Sequence, residues 1–317
     1  APVAPPAQPL VLPGRRELLV GSIGAVVASA SAPPALAEAV KPFCGVGGSG
    51  DTQALPIWAY GTPWDEKIVT FRGNEIWSRI VGKPPPKGLF AKSDTPPKAP
   101  VLVLHGGPGM PSRYLETLEL MAGVETGPRR VFFYDQGGCG NSDSRYGFKT
   151  PPGGFTPAYF EEELAAVREQ LGLAEKVHLV GHGWGGMLAL EHIGARGAEG
   201  VASVSLLGTP ASYAGLTQAR SAALGRLPAA AQDALLAAEG GGPRGPEYEA
   251  ALATYSREYL CRGVVPLPGC ITAAQGARTA EVERDMCGGS YFSPAGALAG
   301  GTAEGALRRA PSAVHPA

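Results

Sequence analysis

Three glycine-rich clusters hold the residues whose types and spacing could do chemistry. They are His105-Gly106-Gly107-Pro108-Gly109, Asp135-Gln136-Gly137-Gly138-Cys139-Gly140-Asn141-Ser142 and Gly181-His182-Gly183-Trp184-Gly185. Each follows a short apolar run: "VLVL", "VFFY" and "VHLV". Glycines after a strand let backbone N–H groups approach a developing oxyanion. The third cluster occupies the frame Gly-x-Ser-x-Gly, in which a sharp strand-to-helix corner lifts a nucleophilic serine. Here the serine position is Gly183, which has no side-chain atom to attack a carbonyl.

The elements that must position these clusters are legible from periodicity. "EKIVTFRGNEIWSRIVG" alternates apolar and polar residues around Arg72-Gly73-Asn74 and predicts a hairpin. The runs 101–107 and 129–136 predict strands buried on both faces. A helical pattern starts near Ser112 and carries Leu115, Leu118 and Met121. Thr156-Pro157 is a cap and first-turn pair, and Phe160, Leu164, Val167 and Leu171 fall on one helix face. Strand, helix and strand then follow over 176–182, the post-corner segment and 201–210. This alternation predicts an α/β fold with a mostly parallel sheet and helices on both faces. Residues 211–300 show helical stretches and no strand, which predicts a helical cap after the sixth strand.

Together the three clusters resemble the α/β-hydrolase superfamily and, within it, the proline iminopeptidases. That family joins HGGPG to DQxGxGxS and to an elbow of the form G-x-S-[WY]-G-G. "EYLCRGVVPLPGC" and "DMCGGSYFSPAGAL" are similar to stretches of its cap. The resemblance covers roughly residues 60–300 and implies an activity, release of N-terminal proline from small peptides by an elbow serine. It implies oxyanion donors at the N–H groups of Gly107 and Trp184, and motif roles for His105, Gly106, Pro108, Gly109, Asp135, Gln136, Gly181 and Gly185. It also implies a substrate-binding glutamate at the position of Tyr291, whose phenol carries no charge at neutral pH.

The acid and base of such enzymes follow the nucleophile, in the order Ser…Asp…His. Beyond Gly300 the sequence reads "GTAEGALRRAPSAVHPA", with no apolar strand run. The expected sheet therefore lacks its C-terminal strands, which leaves the sixth strand's edge to a protein partner or marks an incomplete gene product. Asp285 and His315 have the right order, but one lies in a cap segment and the other two residues from the end, so no triad is read from them. Two function classes result. One is a hydrolase of this family with impaired or no activity; the other is a non-catalytic pseudoenzyme or binding subunit that uses the cap cleft.

Bulk properties narrow the partners. Lys and Arg number 27 against 28 Asp and Glu, with no basic block, which argues against nucleic acid. No metal or organic cofactor is implied, because the cysteines show no Cys-x-x-Cys spacing and the family chemistry needs none. Cys261 and Cys270 stand close enough in sequence to pair in an oxidising compartment, although buried thiols are the expected state for all five cysteines. Arg15 and Arg16 precede an apolar stretch from Leu18 to Ala30, too short to span a bilayer, and then Ala35-Leu36-Ala37. With the Ala/Pro-rich 1–14 this reads as a bipartite signal for the chloroplast thylakoid lumen; an exported bacterial protein, or a disordered tail on a cytoplasmic one, are the alternatives. No other membrane association is expected. The plan is thus a targeting segment (1–37), an α/β-hydrolase core (55–210), a helical cap (211–300) and a disordered tail (301–317).

Overall fold

A six-stranded sheet in the order β1-β2-β4-β3-β5-β6 forms the centre of the computed structural model. The structure describes residues 64–82, 98–122, 129–144, 147–239, 242–260, 262, 269–292 and 296–299. The segments read as targeting sequence and tail lie outside these, as do Cys44, Cys261 and His315.

β1 (Trp64–Phe71) and β2 (Asn74–Val81) form the expected hairpin. Its turn is Arg72-Gly73 alone, both at positive φ (48° and 78°), as a two-residue turn between twisted strands requires. β3 (Val101–Leu104), β4 (Val131–Tyr134), β5 (Val177–His182) and β6 (Val201–Leu207) run parallel, and β2 joins β4 antiparallel. Both faces are covered, and the period of two shows why. Leu102, Leu104, Phe132, Tyr134, Val177 and Leu179 join one apolar cluster, whereas Val101, Val103, Val131, Phe133 and Val180 join the other.

The first face packs against α2 (Pro157–Gln170) and α3 (Trp184–Arg196); a shorter helix, α1 (Gly140–Ser144), follows β4. Thr156 caps α2, its hydroxyl accepting from the Tyr159 N–H at 3.1 Å. The stripe read from the sequence is its buried face, since Phe160, Leu164 and Val167 are fully buried and Leu171 nearly so. Each such side chain contributes about 1.5–3 kcal/mol. The opposite face is covered by Ser112–Ala122, which winds as a 3-10 rather than an α-helix and turns Leu115 and Ala122 inward.

After β6 come α4 (Tyr213–Leu224), α5 (Ala229–Glu239), α6 (Pro246–Tyr255) with a π-helical turn over Ser256–Leu260, α7 (Gly269–Gly276) and α8 (Ala280–Cys287). Leu224, Leu227, Leu235, Tyr255 and Phe292 build a separate small core there. α8 instead sends Val282, Met286 and Cys287 into the main cluster beside Trp184. Among the described residues β6 is the last strand, and it is partly exposed along most of its length. The cysteine reading needs one correction: Cys270 is disulfide-bonded, while Cys139 and Cys287 are buried free thiols.

Candidate active site at the glycine elbow

Parallel strands β3, β4 and β5 end side by side, so the three glycine clusters meet at one end of the sheet. Their interlocking begins with His105, which is wholly buried. Its Nε2 accepts from the Gln136 N–H at 2.9 Å, which leaves the ring proton on Nδ1 to donate to the Gly106 carbonyl at 3.0 Å. Burial holds the His105 pKa below its ordinary value, in keeping with a neutral ring. Gln136 returns a bond from Nε2 to the His105 carbonyl and accepts at Oε1 from the Trp184 indole at 2.9 Å. One residue from each cluster is therefore hydrogen-bonded to the next. Trp184→Phe would leave the Gln136 oxygen without its donor and is expected to cost about 1–3 kcal/mol in urea unfolding. A cost under about 0.5 kcal/mol would contradict this account.

Asp135 braces the second cluster. Its carboxylate accepts from the Ser112 N–H (2.7 Å), the Asn141 N–H (2.8 Å) and the Asn141 side chain (3.1 Å). It serves loop geometry, tying the backbones of Ser112 and Asn141 to the end of β4.

The elbow itself is Gly183, at φ 54° and ψ −117°, directly before α3. Its N–H donates to the Leu207 carbonyl at 2.9 Å, and its carbonyl accepts from Gly186 and Met187. A Cβ added at Gly183 would meet nothing nearer than the Gly106 Cα at 4.0 Å. The neighbouring glycine is different. A Cβ on Gly185 would lie 2.1 Å from the Leu104 carbonyl oxygen, so β3 and α3 can approach only without a side chain there. The N–H groups of Gly107 and Trp184 make no hydrogen bond among the described residues.

The histidines do not assemble a base at this corner. His182 bonds through Nδ1 to the Tyr114 hydroxyl at 2.7 Å, and that hydroxyl accepts from the Gly106 N–H at 2.8 Å. Burial lowers the His182 pKa. The arrangement braces the first loop from behind. His192 is buried between the Glu161 carboxylate (2.8 Å) and an Arg168 guanidinium (2.6 Å), and His178 pairs with Ser203 at 2.7 Å. Asp285 accepts from the Phe155 N–H at 3.0 Å and has no histidine partner among the described residues. No group of three or more His, Cys, Asp or Glu residues there could hold a metal ion, and no helix there is long and apolar enough to cross a membrane.

Tyr291 sits in the small core of the helical region, edge-on to Phe292 (5.1 Å) and Tyr255 (6.1 Å). Sequence reasoning missed its neighbours. Glu239 accepts from the N–H groups of Tyr291 and Phe292 at 2.6 and 3.0 Å, and Arg220 stacks on the Tyr291 ring. Tyr114 and Glu163 were missed too, because single polar residues on helical stretches give no signal until the fold brings them together.

The fold and corner define a class. Residues 99–263 match the family model of the alpha/beta hydrolase fold. Proline iminopeptidase of Lactobacillus delbrueckii subsp. lactis is 36% identical over 204 residues, covering 64% of each chain. That of Lactobacillus helveticus is 31% identical over 234 residues, covering 74% of each. The match to the first of these thus spans somewhat less than two thirds of that relative. A crystal structure of proline iminopeptidase from Mycobacterium smegmatis superposes with a TM-score of 0.63 at 31% identity, covering 78% of both chains. The structure of VinJ gives 0.64 at 28% identity, covering 78% of this chain and 79% of that one. The chain belongs to the α/β-hydrolase-fold family. Within that family it is a member of the proline iminopeptidases.

Proposed function

We propose that this chain keeps a proline iminopeptidase scaffold as a binding cleft and has lost most or all serine-dependent release of N-terminal proline. The observation that carries this is the bare backbone at Gly183, the one elbow glycine at which a Cβ would meet no obstruction. In this reading the free N–H groups of Gly107 and Trp184 are the oxyanion donors, so the part of the machinery made of main chain survives. Without a hydroxyl no acyl-enzyme forms, and water gains no positioned base from His105, His178, His182 or His192, whose rings are engaged elsewhere. Loss of the serine alone costs a serine protease of unrelated fold about a million-fold in turnover. Purified chain incubated with a proline arylamide should therefore release arylamine at no more than about ten-thousand-fold above the uncatalysed background, which is what oxyanion donors and binding alone can supply. Turnover of about 1 per second or faster would refute the reading.

A further inference from the structure

Among the described residues, Arg220 is a cation without a counter-charge. It lies half-buried on α4, its guanidinium carbon 3.8 Å from the Tyr291 ring centroid and its Nη1 donating to the Tyr291 carbonyl at 3.1 Å. It forms no ion pair with a carboxylate among the described residues, and its Nε is shut off from solvent without an acceptor. The carboxylates of this region are committed. Glu239 takes the Ser290 hydroxyl and two backbone N–H groups, Asp285 takes the Phe155 N–H, and Glu283 pairs with Arg278 at 3.2 Å.

Arg278 brings a second guanidinium to the same corner. The residue after it, Thr279, donates its N–H to the Gly109 carbonyl at 3.0 Å, which places Arg278 beside the first glycine loop. Its Nε is likewise buried without an acceptor. Burial pushes the Cys287 thiol up, the bond from Tyr213 opposes it, and the Glu283 charge, which raises it, outweighs either Arg220 or Arg278, which lower it. These charges meet where the Tyr213 hydroxyl lies 2.7 Å from Cys287 Sγ, and since Glu283 is paired with Arg278, Arg220 is the one left unbalanced among the described residues. A guanidinium stacked on an aromatic face is held in one plane, ready for two-point contact with a planar anion.

We propose that the corner where α4, α8 and the Tyr291 turn meet is an anion site, in which Arg220, beside the Glu283-paired Arg278, takes a ligand carboxylate. This rests on the cleft's proposed binding role and adds the class of ligand: an organic acid, or a peptide presenting a carboxylate, without a free ammonium. An ammonium entering there meets the unbalanced Arg220 charge and, among the described residues, no uncommitted carboxylate. Calorimetric titration of the full chain tests it with three probes. N-acetylproline carries only the carboxylate, prolinamide only the amine, and acetyl-Ala-Ala-Pro the same carboxylate on a peptide.

N-acetylproline should bind at least about tenfold tighter than prolinamide, and Arg220→Gln should weaken it by about tenfold or more, with Arg220→Lys in between. Tighter binding by the acetylated peptide than by N-acetylproline would assign the carboxylate to a chain terminus; the reverse order would assign it to a small acid. Circular dichroism confirms that each variant folds. If Arg220→Gln does not fold, Arg278→Gln is read in its place, with a loss of about threefold or more expected. Prolinamide binding as tightly as N-acetylproline, binding unmoved in the variant read, or no binding of any carboxylate at about 10 mM overturns the proposal. Arylamide turnover would defeat the loss-of-catalysis reading, whereas this titration reads only the charge preference of the corner.

Discussion

Gly185→Ala will fail to give a folded protein, whereas Gly183→Ser will fold and still not hydrolyse a proline arylamide. The contrast follows from what a Cβ meets at two positions in one turn. At Gly185 the obstacle is backbone, the carbonyl oxygens of Leu104 and His105 at 2.1 and 2.6 Å, and no rotamer change relieves it. Separating β3 from α3 to make room would open the main core, at a cost above about 4 kcal/mol against a typical total of about 5–15. At Gly183 there is room, and the only penalty is the backbone conformation, φ 54° and ψ −117°, about 1–3 kcal/mol for a residue with a Cβ. Thermal melts followed by circular dichroism read both outcomes, and a cooperative wild-type melt for Gly185→Ala would sink the steric account. The serine would arrive without a proton acceptor, since the His182 ring is already bonded to Tyr114. Any gain in turnover should stay below about a thousand-fold; a larger one would show that a base is present after all.

What the sequence could show here depended on the range of the interactions. The strands announced themselves because burial on both faces makes "VLVL" and "VFFY" continuous apolar runs, and α2 because its stripe and cap are local. The Arg72-Gly73 turn was nearly as plain. Ser112–Ala122 was read as an ordinary helix from its apolar spacing, yet it winds more tightly, held at its start by Asp135 from a distant loop. That bond spans 23 residues and has no trace in local periodicity. The same holds for the corner. The glycine frames could be read because their spacing is contiguous, and the missing hydroxyl was visible as a single letter. The ties among His105, Gln136 and Trp184 cross 31 and 48 residues, so the sequence could give their identities but not their mutual contacts. Arg220 and Tyr291, 71 residues apart, carry no local sign of their contact. Pairing across such distances is decided by the whole core, which local pattern does not encode.

Glu163 supplies the second large effect, and its sign is set by burial. The side chain is fully buried on α2, with Oε2 accepting from the Gly137 N–H at 2.9 Å and Oε1 without a partner. Removal from water pushes its pKa up from 4.5 to about 8, against the smaller downward pull of the Gly137 bond. The folded state therefore keeps the proton through a window, from the unfolded value near 4.5 to about 8, in which the unfolded chain has released it. Folding takes up a proton there, so this group's contribution is fully present below pH 4.5 and declines as pH rises toward 8, by at most about 1.4 kcal/mol per pH unit. Glutamine keeps an oxygen for Gly137 and cannot ionise. Its amide nitrogen takes the place of Oε1, which has no hydrogen-bond partner among the described residues. Glu163→Gln should thus be close to neutral at pH 4 and stabilising by about 2–4 kcal/mol at pH 8. Glu116, raised to about 7 by burial, titrates with the same sign but is present in both proteins and cancels from the difference. Urea unfolding of the two chains at pH 4, 6 and 8 measures that difference directly. Curves that stay parallel across the three pH values would mean that Glu163 is ionised in the folded protein, with a cation or ordered water supplying what Oε1 lacks.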